Sequence, residues 1–274
     1  MILLPPTDYQ KVIDLIHPIE INNLFARSVV ERHVTGKIYV DNIDTPRACY
    51  VLHPYGMSLL AGNSQITAFN DWFRSYCLNA DQNRQSDEWM QAYPKDWDKV
   101  LQVLFGEHMI TSAASDPNRS TNVVLNTRVN FAFDKTKYLQ MKPAPTPKGK
   151  VVRTDHQLYA AMQGSVVPQY FWDDMDSFFE HGVGFSLLYD GDLAATAYAS
   201  FVHEHQLEIG IETVERFRDK GFAKQVCAAL IDYCLEHNYE PIWSCRLENT
   251  GSYHLALKLG FEPTLHWSYY RLGY

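Results

Sequence analysis

The sequence predicts a mixed α/β fold in two domains, and three observations lead to that prediction. Strand-like and helix-like runs in the C-terminal half follow the order β-α-α-β-β-β-α-β-α-β, typical of a mixed sheet flanked by helices. A proline-rich run with Pro143, Pro145 and Pro147 separates the halves. The charge balance also changes there, because residues 1–149 carry 15 basic and 15 acidic side chains whereas residues 150–274 carry 9 and 17.

The proline run sets the predicted domain boundary. Prolines at alternate positions favour an extended, semi-rigid segment. We therefore divide the chain into an N-terminal mixed α/β domain at residues 1–142, a linker at 143–149 and a C-terminal domain at 150–274. A chain of 274 residues suits two domains of ordinary size.

Composition excludes several classes of partner. The net charge of −8 argues against duplex nucleic acid, which needs a basic face, and against an anionic membrane surface. No apolar run approaches the ~18 residues of a membrane span. The first ten residues, MILLPPTDYQ, lack the basic and apolar regions of a signal peptide. We expect neither nucleic acid nor membrane as a partner, and the sequence does not indicate an oligomeric state.

Cysteine and histidine usage predicts neither disulfides nor a metal. The five cysteines are an odd number and none has CxxC spacing, so a cytoplasmic, reducing location is expected. His203 and His205 would share a strand face, but they fall at a predicted turn without an evident third ligand. Cys245 is interpreted as a buried thiol.

The N-terminal domain shows elements but no chemical motif. Apolar spacing predicts a helix over 66–79, and another helix is predicted over 96–105. Short strands are predicted at 37–41, 47–53, 57–61 and within 122–133. No nucleotide loop, metal cluster or nucleophile elbow is recognisable in this half.

The C-terminal domain shows clearer signals for secondary structure. Thr154-Asp-His-Gln157 is a capping-box pattern that starts a helix ending near Gly164, and Asp190-Gly191 predicts a hairpin turn. A longer helix runs from Gly221 to about His237. The remaining predicted elements are strands at 150–153, 183–189, 193–203, 206–214, 241–245 and 264–271 and helices at 171–180 and 250–259.

One turn carries the clearest chemical signal. A strand ending near residue 214 leads through Arg218-x-x-Gly221-x-Ala223 directly into a helix. The first N–H groups of a helix have no internal partner, and the helix dipole adds partial positive charge there. Gly221 and Ala223 allow a phosphate to approach the backbone closely. A solvated basic helix start, with glycine serving only the turn, is the alternative reading.

Downstream context favours the anion site. Asn249-Thr-Gly-Ser252 and Ala256-x-Lys-Leu-Gly-Phe261 follow the next strand, which contains Trp243-x-Cys245. Together with Glu208-Ile-Gly-Ile-Glu-Thr213, this set resembles the GNAT (GCN5-related) N-acetyltransferase superfamily. It resembles in particular the bacterial branch that includes the zwittermicin A resistance acetyltransferase. The resemblance covers roughly residues 183–262.

The resemblance implies an acetyl-coenzyme A site. The loop would hold the pyrophosphate, the backbone of Ile211 and Thr213 would pair with the pantetheine arm, and Asn249 and Ser252 would line its far side. The loop residues are Arg218, Asp219, Lys220, Gly221, Phe222 and Ala223. Gly210 within a strand independently indicates a bulge or a close backbone approach, and in the family a bulge there helps to open the slot.

The proton-transfer groups are less well specified. Glu208 and Glu212 share a strand face. We favour Glu212 as general base because it lies nearer the cofactor arm, with Glu208 second. Pairing of these carboxylates with neighbouring strands or water is the alternative. The family's usual acid, a tyrosine, corresponds to Ala256, and Tyr253 is its candidate replacement.

These observations predict an acetyl-CoA-dependent N-acetyltransferase. Its surplus carboxylates indicate a small, cationic primary amine as acceptor. The N-terminal domain, which lacks the RxxGxG/A loop, is interpreted as a diverged second GNAT-like copy without coenzyme A. The alternatives are an acetyl-CoA-binding sensor without turnover and a transferase using an acyl carrier or aminoacyl-tRNA.

Overall fold

The computed structural model describes residues 1–111, 123–144 and 149–274. The chain forms two compact units. The first comprises Met1–Val129, Arg246–Glu248 and His266–Tyr274, and the second comprises Asn130–Cys245 and Asn249–Leu265. Residues 145–148 of the predicted linker lie outside the described residues, so its extended conformation stays a prediction.

The division into units differs from a single cut near residue 145. Residues 246–248 and 266–274 belong to the first unit, and residues 130–144 belong to the second. The reason is that two strands, at 123–133 and 261–272, each contribute residues to both units. The assignment of 1–142 and 150–274 as the domains stays a prediction.

The first unit contains a mixed sheet in the order β1-β2-β3-β4-β5. Neighbouring strands are antiparallel except for β4 and β5, which are parallel. The elements are β1 (Ile2–Leu3), α1 (Ile13–Ile16), α2 (Leu24–Val30), β2 (Lys37–Val40), β3 (Ala48–Leu52), β4 (Met57–Gly62), α3 (Thr67–Cys77), β5 (Glu88–Tyr93), α4 (Asp96–Phe105), β6 (Met109–Thr111) and β7 (Val123–Phe133). A 3₁₀ segment at Pro6–Val12 precedes α1.

The core of the first unit lies between α3, α4 and the sheet. The predicted apolar face of α3 is buried at Phe69, Phe73 and Cys77. Trp97 of α4 is also fully buried in the same cluster. The helices predicted over 66–79 and 96–105 are confirmed as α3 and α4. Each is stabilised by burying one apolar stripe against the sheet.

The second unit contains a mixed sheet in the order β8-β9-β10-β11-β12. Its strands are antiparallel except for β11 and β12, which are parallel. The elements after β7 are α5 (Lys135–Met141), β8 (Gly149–Arg153), α6 (His156–Ala161), α7 (Met175–His181), β9 (Gly184–Tyr189), β10 (Asp192–His203), β11 (Gln206–Thr213), α8 (Phe222–Glu236), β12 (Glu240–Arg246), α9 (Thr250–Leu257) and β13 (Phe261–Leu272).

Two helix starts differ from the sequence prediction. The side chain of Asp155, not Thr154, caps α6 by accepting the N–H of Leu158 at 2.8 Å. Thr154 instead shares a 2.9 Å hydrogen bond with Ser186 in the sheet, because its side chain is buried. Helix α7 begins after Asp174 rather than at residue 171, since that aspartate provides the cap.

Both units share one pattern of connection. From β1 to β5 and from β8 to β12, two helices follow the first strand, three antiparallel strands follow the helices, and a further helix leads to a parallel strand. This repetition supports the interpretation of the N-terminal half as a second copy of the same fold. No helix in the described ranges is both long enough and apolar enough to cross a membrane.

Candidate active site

Strands β11 and β12 of the second unit pair over a short stretch and then form a fork. The two strands pair in parallel only from Gln206 to Glu208, opposite Glu240 to Ile242. Beyond that point their described residues form no further ladder pair. The backbone of Ile209–Thr213 therefore has one edge without a partner strand. Ile211 and Thr213, predicted to pair with the pantetheine arm, both lie on this stretch.

The corresponding strands of the first unit are closed. There β4 and β5 pair along five consecutive positions, Met57–Ala61 with Trp89–Tyr93. A continuous ladder uses the backbone groups that an added pantetheine strand would need. The absence of coenzyme A from this unit stays a prediction, and the closed ladder supports it.

The N-terminus of α8 follows β11 after the loop at residues 214–221. Gly221 is its N-cap with φ of +77°, a left-handed conformation that favours glycine. Within the described part of the chain, no side chain caps this end and no atom lies within 4 Å of a Cβ built on Gly221. The first N–H groups of this 15-residue helix are therefore available to an anion.

The loop before α8 is held in place by aromatic packing. The Phe222 ring is buried and lies 5.0 Å from Tyr189 and 6.2 Å from Phe217, measured between ring centroids. Phe222 is one of the residues predicted to hold the pyrophosphate. Because its ring is buried, it would do so through its backbone N–H. Asp219 has φ of +61°, and Arg218, Asp219 and Lys220 are all exposed.

The basic side chains of this loop are partly used by the fold itself. Arg216 forms a 2.9 Å ion pair with Asp192. The Lys224 ammonium donates to the Met141 carbonyl at 2.8 Å, and that of Lys220 lies 5.2 Å from the Phe217 ring centroid. The Arg218 guanidinium donates to the Thr213 carbonyl at a long 3.5 Å, its one contact among the described residues. Arg218 and Lys220 are therefore the better placed cations for a phosphate.

The start of α9 lies across the fork. Asn249 caps the helix by accepting the N–H of Ser252 at 3.2 Å. The Trp243 indole N–H donates to the Ser252 hydroxyl, also at 3.2 Å. Asn249 and Ser252 thus shape the end of β12, and their predicted contact with the pantetheine arm stays a prediction.

Gly210 is a point of close approach. It lies opposite Tyr198 of β10, and a Cβ built on it would be 2.5 Å from Cζ of that ring. The irregularity in the ladder lies in β10, between Ala199 and Phe201. Of the two readings of Gly210, the close approach is therefore the one the structure shows. The bulge that the family resemblance implied at Gly210 is wrong in its position, because β10 carries the extra residue.

Glu208 lies at the base of the fork. Its side chain is buried, and one carboxylate oxygen accepts a 2.7 Å hydrogen bond from the Ser244 hydroxyl on β12. This bond joins the two strands immediately after their last paired position, Glu208 with Ile242. Ser244 is a site residue that the sequence analysis missed, since a single serine in a strand carries no signal of its own.

Glu212 faces a different partner. Its Oε2 accepts the backbone N–H groups of Ser165 and Val166, each at 3.0 Å. Oε1 accepts the N–H of the adjacent Thr213 at 3.2 Å. The carboxylate thus binds the loop that follows α6, a contact that residues so far apart in sequence did not indicate.

The remaining candidates lie on β12 and α9. Tyr253 packs edge-on against Phe131 with ring centroids 5.4 Å apart. Ala256, which occupies the position of the family's usual tyrosine, is fully buried. The Cys245 thiol is buried, as predicted. Among the described residues, no group of three or more His, Cys, Asp or Glu side chains could hold a metal ion.

Comparison with known proteins agrees with this architecture. A family model described as GNAT acetyltransferase matches residues 18–270. A Bacillus subtilis (strain 168) protein named "Uncharacterized N-acetyltransferase YdfB" is 25% identical over 253 residues, covering 91% of this chain and 90% of that protein.

Two solved structures show the same fold across the whole chain. A GCN5-related N-acetyltransferase-like protein from Streptococcus suis 89/1591 has a TM-score of 0.72 and 20% identity, covering 96% of this chain and 98% of that one. A tandem GNAT protein from the clavulanic acid biosynthesis pathway has a TM-score of 0.61 and 10% identity, covering 99% and 98%. The second supports a two-domain arrangement.

Proposed function

The chain belongs to the GNAT acetyltransferase family, and on that premise we propose that it transfers an acetyl group from acetyl-coenzyme A to a primary amine. The observation that carries this proposal is the fork between β11 and β12 together with the uncapped N-terminus of α8, which follows β11 after the loop at residues 214–221. One feature offers an unpaired strand edge to an amide-containing arm. The other offers N–H groups and a helix dipole to a pyrophosphate.

The donor would occupy the fork with its phosphates at α8. Backbone N–H groups from Gly221 to Ala223 would bind the pyrophosphate, with Arg218 and Lys220 beside it. The backbone of Ile211 and Thr213 would pair with the pantetheine arm, and Asn249 and Ser252 would line the opposite side. These roles fit the left-handed Gly221 and the open edge of β11.

The acceptor must lose a proton before it attacks. An alkyl ammonium with a pKa near ~10.4 is mostly protonated at neutral pH. Its nitrogen then attacks the thioester carbonyl, the C–S bond breaks, and the coenzyme A thiolate leaves. A general base close to the point where β11 and β12 separate must take the proton that the amine loses.

Glu208 is the better placed of the two candidate bases. The Ser244 hydroxyl donates to it at 2.7 Å and is itself only partly buried, so it can pass a proton from the amine to the carboxylate. Glu212 already accepts three backbone N–H groups. Tyr253 stays the candidate acid for the thiolate, although its ring packs against Phe131.

The acceptor is proposed to be small and cationic. The acidic side chains of residues 150–274 outnumber the basic ones by 17 to 9, and a negative field raises the local concentration of an ammonium. The narrower likeness to the zwittermicin A resistance branch stays a prediction. A sensor that binds acetyl-coenzyme A without turnover is the second candidate function, favoured by the buried Ala256 at the usual acid position.

Replacing Gly221 with valine is expected to weaken acetyl-coenzyme A binding by about tenfold or more. A β-branched residue resists the left-handed conformation, and its side chain would stand where a phosphate approaches. Calorimetric titration with acetyl-coenzyme A measures the loss. The control is Gly191→Val, because Gly191 also has positive φ, at +89°, but lies in the turn between β9 and β10. Unchanged affinity in Gly221→Val would disprove the phosphate assignment.

A further inference from the structure

One segment after α6 covers the sheet face that carries both glutamates. We call residues 164–172 the strap. Gly210 points to the same face as Glu208 and Glu212, because alternate residues of a strand share a face. The strap crosses this face between α6 and α7, whereas α8 packs on the opposite one, where its Tyr233 ring lies 6.1 Å from Phe185.

The strap is tied to the sheet near both of its ends. At the first end, the N–H groups of Ser165 and Val166 bind Glu212. At the other end, the Trp172 indole N–H donates to the carbonyl of Ala199 at 2.9 Å. Phe171 also packs edge-on against Tyr198, with ring centroids 5.7 Å apart.

Gly164 shows how closely the strap fits the carboxylate. Its φ is +144°, and a Cβ built on it would lie 2.4 Å from Oε2 of Glu212. Real Cβ atoms do not approach an oxygen so closely, so any other residue would displace either the strap or the carboxylate. The conformation favours glycine, and a Cβ at this position would push the Glu212 carboxylate away from its backbone donors.

The bonds to Glu212 bear on its role. Three backbone N–H groups donate to the Glu212 carboxylate, two to Oε2 and one to Oε1, and so take three of its about four acceptor sites. A base needs a lone pair directed at the amine, and these contacts direct the carboxylate at the backbone instead. The phosphates are assigned to α8, which lies on the other face, so the amine would approach from the face that the strap covers. The strap would then line the site where the acceptor amine binds.

Resting on the acetyltransferase function proposed above, we propose that Glu212 is a positioning residue that fixes the strap as the wall of the acceptor site. Acceptor binding then depends on the hydrogen bonds from Ser165 and Val166 to Glu212. Proton transfer is assigned to Glu208 through Ser244, and Glu212 takes no part in it.

Amide hydrogen exchange on the full chain tests the anchoring without an acceptor. In Glu212→Gln and in Gly164→Ala, the amides of Ser165 and Val166 are expected to exchange about tenfold faster or more. The neutral glutamine oxygen accepts these N–H groups more weakly than a carboxylate does, and the alanine methyl displaces them from it. Gly191→Ala is the matched control for glycine, since its φ is +89° and no described atom lies within 4 Å of its Cβ. Glu204→Gln, at an exposed turn, is the control for glutamate.

Kinetics then separates positioning from proton transfer. With whichever amine of a panel the wild type acetylates, Glu212→Gln is expected to raise KM about tenfold while kcat stays within about threefold. Activity that depends on a general base falls toward acidic pH, and this fall is expected in the wild type and equally in this variant. A collapse of kcat with loss of that pH dependence would overturn the proposal, because it would identify Glu212 as the base.

The two proposals can fail separately. Unchanged exchange of Ser165 and Val166 in Glu212→Gln would overturn the anchoring, whatever the enzyme's activity. If the wild type acetylates none of the amines, the proposed function fails, while the exchange result still decides whether Glu212 holds the strap.

Discussion

Glu208→Gln is expected to lower kcat by about 100-fold to 1000-fold, the loss typical when a general base is removed. Glutamine keeps the shape of the side chain and can still accept the bond from Ser244, but it cannot take a proton. The affinity for acetyl-coenzyme A should be unchanged, because the donor is assigned to β11 backbone groups and to α8. Release of free coenzyme A thiol, followed at saturating acetyl-coenzyme A and amine, measures the loss.

Two further variants make this result specific. Ser244→Ala removes the hydroxyl that bonds to Glu208 at 2.7 Å, and it should lower kcat if the proton passes through this hydroxyl. Glu204→Gln removes a carboxylate that is 79% exposed and should leave kcat unchanged. Full activity in Glu208→Gln would rule out Glu208 as the base.

Arg84→Met should destabilise the first unit by about 3 kcal/mol or more, because hydrogen bonds to a buried charged group contribute about 1.5–3 kcal/mol. The Arg84 side chain is only 5% exposed. Its guanidinium donates to the carbonyls of Tyr76 at 3.1 Å, Cys77 at 2.8 Å and Leu272 at 3.0 Å. Methionine fills a similar volume but leaves these buried carbonyls without their donor.

Urea unfolding measures the change, with Arg74→Met as the matched control. Arg74 lies on α3 of the same unit, is exposed, and makes a single 2.7 Å bond to the Leu104 carbonyl. Its replacement should cost less than about 1 kcal/mol. Equal losses in the two variants would contradict the structural role assigned to Arg84.

Local chemistry made much of the second unit predictable from sequence. The α8 loop was legible because Gly221 and Ala223 directly precede a strong helical period, and α8 runs from Phe222 to Glu236 as expected within one residue at each end. The hairpin at Asp190-Gly191 was legible for a similar reason, since both residues have positive φ.

The sequence did not predict the strand that buries polar side chains or the helix that has no polar face. Strand β5, with the sequence EWMQAY, buries Glu88 and Gln91, so it lacks an apolar alternation. Glu88 is accommodated because the hydroxyls of Tyr50 and Tyr76 donate to its carboxylate. Helix α2, LFARSVV, is buried at six of its seven positions and therefore shows no amphipathic period.

The contacts of Glu208 and Glu212, on which their proposed roles rest, could be seen only in the tertiary structure. Spacing correctly placed them on one face of β11, but it could not show what each carboxylate contacts. The strap contributes Ser165 and Val166 from a loop more than 40 positions earlier in the chain, and Ser244 comes from the next strand. Such contacts leave no local pattern in a single sequence.

Amine-dependent release of coenzyme A tests the central claim most directly. The wild-type protein is incubated with acetyl-coenzyme A and a panel of small amines, polyamines and amino acid derivatives, and mass spectrometry follows the acetylated product. The account predicts thiol release that requires an amine, with one acetylated amine formed for each thiol. Tight binding of acetyl-coenzyme A without amine-dependent release would contradict it and would favour the sensor instead.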